Sequence, residues 1–223
     1  MRAGIAAVAL DLPGHGERFD PSMQMNERSM DVVNAMVPEI DRVVDAMAAP
    51  EWGDYLDFAR MGIGGMSAGG MAALRRLCDG HDFVCAAVEG TTGWLEGLYF
   101  PSGQSWQPPR GVSMAREGVL AADAMSRLDT FRPIPALFLH AETDRIVPIG
   151  CLTTFLEALR LRYERAGTDP DLIRLKTWSQ TGAPEEHAGF GKFGHEAKNV
   201  QVEFLARYLG AAGPVREDGP TVD

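Results

Sequence analysis

The chain has 223 residues, 45% of them hydrophobic and 23% charged, the balance of a globular protein large enough to bury its own core. Acidic side chains number 31 against 21 basic ones, and the formal charge of -10 excludes a general affinity for nucleic acid or an anionic membrane. The three cysteines, Cys78, Cys85 and Cys151, lack CxxC spacing and suggest neither a disulfide framework nor a metal site.

Taken in chain order, Gly4 to Leu10 is a short, uniformly apolar run, the pattern of a strand covered on both faces. It is too short, and ends too soon at Asp11, to be a signal peptide, and no stretch approaches the length of a membrane-spanning helix. With reduced core cysteines, a cytoplasmic location is expected. The loop LPGHGERFDP leads into a helix over about residues 26–49, where Val33, Met36, Val37, Ile40, Val43, Val44 and Met47 recur at helical spacing. A strand follows at Ala59 to Met66, a helix at Ala68 to Cys78 and a third strand at Phe83 to Val88. An irregular stretch of Trp, Pro, Gly and Met then runs from Gly90 to about Arg127. Alternation resumes with a strand at Ala136 to Leu139, a helix at Cys151 to Ala166, a strand at Leu172 to Trp178 and a helix at Glu196 to Leu209.

Strands alternating with helices predict an α/β fold, a mainly parallel sheet with helices on both faces. One domain is expected over residues 1–209, with 90–127 inserted over the C-terminal edge of the sheet, where open α/β sheets bind ligands. Residues 210–223, rich in Gly, Pro and acids, read as a flexible tail.

The stretch GGMSAGG, Gly64 to Gly70, has two readings. As a phosphate cradle, Gly62 to Ser67 approximates G-x-G-x-x-G without its last glycine, and Glu89 stands where a dinucleotide site wants a carboxylate. An earlier strand and helix precede it, however, and the later features of the chain stay unexplained. As a nucleophile turn, Gly65 to Gly69 matches G-x-S-x-G. A serine at a tight strand-to-helix turn needs residues without side chains two positions either side, and glycines stand at both. The turn lifts the Ser67 hydroxyl above the sheet edge and aims the Ala68 N–H at a developing oxyanion, aided by the helix dipole.

Such a serine needs a base, and the base an orienting acid. HAETDRIVP follows a buried strand and places Asp144 in the loop beyond it, with Glu142 in reserve and capping of the next helix as the plainer role for Asp144. For the base, His187 lies in the glycine-rich loop GAPEEHAGFG, whereas His195 sits against the final helix. The loop position favours His187, because the imidazole must swing over the sheet edge. The order Ser67, Asp144, His187 is that of the α/β-hydrolase fold.

On the pieces VALDLPGHGERF, GGMSAGGMAAL, LFLHAETDRIVP and EEHAGFG, the chain resembles the α/β-hydrolases up to about Leu209. The pattern is most similar to small carboxylesterases related to dienelactone hydrolases and to the catalytic domains of prolyl-oligopeptidase-like enzymes. The resemblance implies a Ser67–His187–Asp144 triad and hydrolysis of a small or medium carboxylic ester through an acyl-enzyme, with no cofactor and no metal. A peptidase or acyltransferase with the same triad is the alternative, and a catalytically impaired binding or assembly protein a further one. Trp94, Leu98, Tyr99, Phe100 and Trp106 of the insertion are expected either to line the substrate pocket or to pack the insertion onto the domain.

In one respect the chain departs from the pattern. VALDLPGHGER corresponds to the fourth strand of such enzymes, so the third strand and its H-G loop, the usual second oxyanion donor, have no counterpart. Reduced activity and a gap beside the Ala59–Met66 strand are expected. Three explanations stand: direct pairing of the flanking strands, a second subunit over the gap, or a longer gene product.

Overall fold

The computed structural model describes residues 4–109 and 113–210. Four short strands, β1 (Gly62–Met66), β2 (Cys85–Glu89), β3 (Ala136–Ala141) and β4 (Ile173–Trp178), pair in parallel in that order. In register, Gly65 lies opposite Val88, Val88 opposite Phe138, and Phe138 opposite Leu175. All four strands therefore end on the same edge, which gathers the loops that follow them. Around the sheet lie α1 (Ser29–Met47), α2 (Pro50–Gly53), α3 (Ala68–Arg76), α4 (Leu95–Tyr99), α5 (Arg116–Ala122), α6 (Ile149–Arg165) and α7 (Gly194–Tyr208).

The central strands β2 and β3 are largely apolar and buried because both faces of the sheet are covered there, whereas the outer β4 carries Arg174, Lys176 and Thr177. Alternate side chains go to opposite sides. Ala86, Val88, Ala136 and Phe138 pack with Leu74 and Leu77 near α3 and with Leu152, Phe155 and Leu159 of α6. Cys85, Ala87, Leu137, Leu139 and Trp178 pack instead with Phe190 and with Ala197 and Phe204 of α7. A third cluster joins Met30, Val33 and Met36 of α1 to Met71 of α3, with Leu95 and Leu98 of α4 and Val119 of α5 laid over them. The expected insertion is thus built around two short helices held against α1 and α3.

The predicted strand at Gly4 to Leu10 is not a strand. The segment carries no ladder among the described residues, and Val8 and Leu10 are 59% and 38% exposed. An apolar run becomes a strand only with a neighbour to share its backbone hydrogen bonds. Here a groove of about 670 Å³ separates it from the free edge of β1, with Val8, Leu10, Ile63, Gly64 and Met66 among its walls. The other predicted elements form, with ends displaced by up to three residues. Of the tail expected over residues 210–223, everything from residue 211 onward lies outside the described residues.

Candidate active site

β1 runs directly into Ser67, and Ser67 directly into α3. Ser67 holds φ 51° and ψ -120°, a conformation rare outside glycine, and such strain costs on the order of 1–3 kcal/mol. Neighbouring bonds hold it there. The Ser67 N–H donates to the Glu89 carbonyl at 2.9 Å, and the Ser67 carbonyl accepts from the Thr91 hydroxyl at 2.9 Å. The glycines explain themselves unequally. A Cβ on Gly65 would lie 2.4 Å from the Gly69 carbonyl carbon, and one on Gly70 would lie 2.7 Å from Thr91 Cγ2. A Cβ on Gly69 would meet nothing within 4 Å. The collision the sequence assigned to both flanks exists only at Gly65, while the constraint at Gly70 was missed.

Three distant side chains meet at this turn. His187 Nε2 lies 2.8 Å from Ser67 Oγ, and His187 Nδ1 lies 2.7 Å from Asp144 Oδ2. An ionised carboxylate can only accept, so Nδ1 carries the proton and Nε2 is left to accept from the serine hydroxyl. Asp144 is buried, and its Oδ1 accepts the N–H groups of Ile146 and Val147, both at 2.8 Å. Its carboxylate orientation is therefore set by its own loop. Beneath it, the wholly buried His140 on β3 donates from Nε2 to the Val147 carbonyl at 2.8 Å. Burial pulls the His140 imidazole below its ordinary pKa, against the opposing pull of the neighbouring Asp144 carboxylate.

The reserve candidates fall elsewhere. His195 is exposed on the first turn of α7, and Glu142 accepts the Thr177 hydroxyl at 2.7 Å. The carboxylate of Glu89, which the phosphate reading needed, takes a hydrogen bond from Gln201 of α7 at 2.9 Å, and its burial raises its pKa. Ala68 is the first residue of α3, so its N–H belongs to the unpaired first turn of a helix. Among the insertion residues, Leu98 is 0% and Tyr99 8% exposed, both within the cluster that fixes the insertion to α1. Trp94, Phe100 and Trp106 are half-buried. Trp94 and Trp106 stand edge to face at 6.1 Å, and Trp106 Nε1 donates to the Gly97 carbonyl at 3.0 Å. Among the described residues no cluster of His, Cys, Asp and Glu is placed to hold a metal ion. None of their helices is long and apolar enough to cross a membrane.

A parallel sheet with the serine turn after one strand, an acid after a later one and a histidine before the last helix defines the α/β-hydrolase class. Within that class, residues 2–211 match the model of the prolyl oligopeptidase family, and the chain belongs to that family of serine hydrolases. No curated protein sequence matches it. Solved structures with the same fold include TT1662 from Thermus thermophilus, 24% identical with a TM-score of 0.62, over 91% of this chain and 76% of that one. An acylaminoacyl peptidase of Pyrococcus horikoshii is 18% identical with a TM-score of 0.58, over 82% of this chain. The Pyrococcus furiosus esterase Pf2001 is 16% identical with a TM-score of 0.53, over 78% of this chain. This chain spans only 29% of the length of the peptidase and 62% of that of the esterase.

Proposed function

We propose that the chain hydrolyses small or medium carboxylic esters through an acyl-enzyme carried on Ser67. The observation that carries this reading is the continuous Ser67–His187–Asp144 hydrogen-bond chain at 2.8 and 2.7 Å. Ser67 Oγ attacks the ester carbonyl carbon while its proton passes to His187 Nε2. Asp144 holds the Nδ1–H tautomer and stabilises the imidazolium. The Ala68 N–H, at the positive end of α3, faces the developing oxyanion. The tetrahedral adduct collapses as His187 returns the proton to the departing alkoxide, releasing the alcohol. A water then gives a proton to His187 Nε2 and its oxygen to the acyl carbon, and the carboxylic acid leaves as Ser67 recovers its hydrogen. Of the five insertion candidates, Trp94, Phe100 and Trp106 keep some surface to offer the substrate, while Leu98 and Tyr99 act as packing.

A second reading, cleavage of a peptide bond by the same atoms, is favoured by membership of a peptidase family. Turnover of a short p-nitrophenyl ester against an N-acyl-aminoacyl p-nitroanilide separates the two. The ester reading requires kcat/KM on the ester to exceed that on the anilide beyond their intrinsic reactivity difference, with both lost in Ser67→Ala. Ester turnover that persists in Ser67→Ala refutes it. A reducing cytoplasm, in keeping with the buried free thiols of Cys78, Cys85 and Cys151, and an oligomer that covers the groove beside β1 complete the proposal. Sedimentation of the purified chain tests the oligomer.

A further inference from the structure

The loop that delivers His187 is unusual in its own right. Glu185 and Glu186, the two residues before the imidazole, hold φ of 54° and 52°, in the left-handed region that side chains disfavour. A non-glycine residue stays there only when its surroundings hold it. Glu186 is held by its own carboxylate. Oε2 accepts the Thr181 N–H at 2.5 Å and the Thr181 hydroxyl at 2.7 Å, and Oε1 accepts the Gly182 N–H at 2.9 Å. These bonds also hold the carboxyl below its ordinary pKa.

Thr181 anchors the other end. It is 1% exposed, its hydroxyl accepts the Ala183 N–H at 3.1 Å, and its carbonyl accepts the Lys192 N–H at 3.0 Å. The loop is closed on itself by Glu186 N–H to the Ala183 carbonyl at 2.8 Å and by His187 N–H to the Pro184 carbonyl at 3.0 Å. It is also tied to the acid, because the Arg145 N–H, next to Asp144, donates to the Glu185 carbonyl at 3.0 Å. Base loop and acid loop therefore form one hydrogen-bonded unit, with the Glu186 carboxylate at its turn.

We propose that Glu186 is a positioning residue, whose carboxylate, latched to Thr181 and Gly182, fixes the backbone that aims His187 Nε2 at Ser67. This rests on the reading of Ser67, His187 and Asp144 given above. Glu186 touches neither substrate nor the reacting atoms; it acts through His187. Without the latch, the two left-handed residues relax and the imidazole loses its fixed distance to the serine oxygen.

The test compares Glu186→Ala, which removes all three acceptor contacts, with Glu186→Gln, which keeps the side-chain length and one acceptor oxygen. A misplacement of about 1 Å costs on the order of 100-fold in rate. On a short p-nitrophenyl ester the expected result is a kcat loss of about 10- to 100-fold for Glu186→Ala, a smaller loss for Glu186→Gln, and KM within about twofold throughout. In a His187→Ala background, Glu186→Ala should lower the residual rate no further, because the group through which it acts is gone. Thr181→Val, which removes the hydroxyl at nearly constant volume, should reproduce part of the kcat loss, and it decides the matter if Glu186→Ala does not fold. An unchanged kcat in folded Glu186→Ala, or an equal loss with and without His187, overturns the proposal. Labelling of wild-type Ser67 by a fluorophosphonate separates the two failures: a labelled wild type with an indifferent Glu186 sinks only the latch, and an unlabelled wild type sinks the underlying reading too.

Discussion

Asp144→Asn separates orientation of the imidazole from mere packing of the loop. The asparagine carbonyl oxygen stays with the Ile146 and Val147 N–H groups, both now at 2.8 Å from Asp144 Oδ1, since two donors there would repel an NH₂. The NH₂ must then face His187 Nδ1, where the carboxylate oxygen now sits at 2.7 Å. A donor in that place forces the proton onto Nε2, so the ring presents N–H to Ser67 Oγ and cannot take its proton. The wrong tautomer costs about 10⁴ in kcat, or ~5.5 kcal/mol of transition-state stabilisation. The fold loses far less. Replacing charge-assisted with neutral hydrogen bonds costs roughly 1–2 kcal/mol, which lowers Tm by about 2–8 °C in a chain of this size. The assay is kcat for a short p-nitrophenyl ester well below Tm, with Glu142→Gln and His195→Ala as controls expected to stay within about threefold of wild type. An Asp144→Asn enzyme within tenfold of wild type, still dependent on Ser67, would refute the argument.

Two further predictions concern stability. Gly65→Ala drives a methyl to 2.4 Å from the Gly69 backbone and should cost about 1–3 kcal/mol, whereas Gly69→Ala meets open space on α3 and should be neutral or stabilising in a thermal melt. Equal Tm values for the two variants would contradict the geometry of the turn. Burial pushes Cys78 and Cys151 up to about 12 and Cys85 to about 11, from an ordinary 9.0. Their stabilising contribution is complete below pH 9 and is lost as pH rises from there toward 11–12, because the unfolded chain ionises first. Chemical denaturation should therefore show stability falling above pH 9, and iodoacetamide at pH 8 should leave all three thiols unmodified until the protein unfolds. Rapid alkylation of the folded protein would show that the cysteines are not where the core puts them.

The three side chains that converge were legible because each sits directly beyond or between elements whose periodicity is strong. Chain order then constrained which serine, acid and histidine could meet. What stayed hidden are polar contacts that hydrophobic periodicity does not record, whether their partners lie far along the chain or within one loop. Thr91 on the Ser67 carbonyl, His140 under the Asp144 loop and the Glu186 latch leave no local pattern, because each is a hydrogen bond made by a fold already formed. Gly4 to Leu10 misled for the same reason, since an apolar run records what a strand's faces want and says nothing of its edges. For Leu98 and Tyr99 the sequence left pocket lining and packing both open, because the insertion's short helices give little periodicity to read; in the structure both are buried in the cluster with α1.

The most direct measurement is mass spectrometry of the purified chain after reaction with a fluorophosphonate. With its hydroxyl activated by His187 and the Ala68 N–H available to the developing phosphonyl oxyanion, Ser67 should be modified and no other residue, and His187→Ala should slow that reaction by about 100-fold or more. A chain that stays unmodified, or that is modified equally fast without His187, would contradict the central claim that these three residues form a working nucleophile.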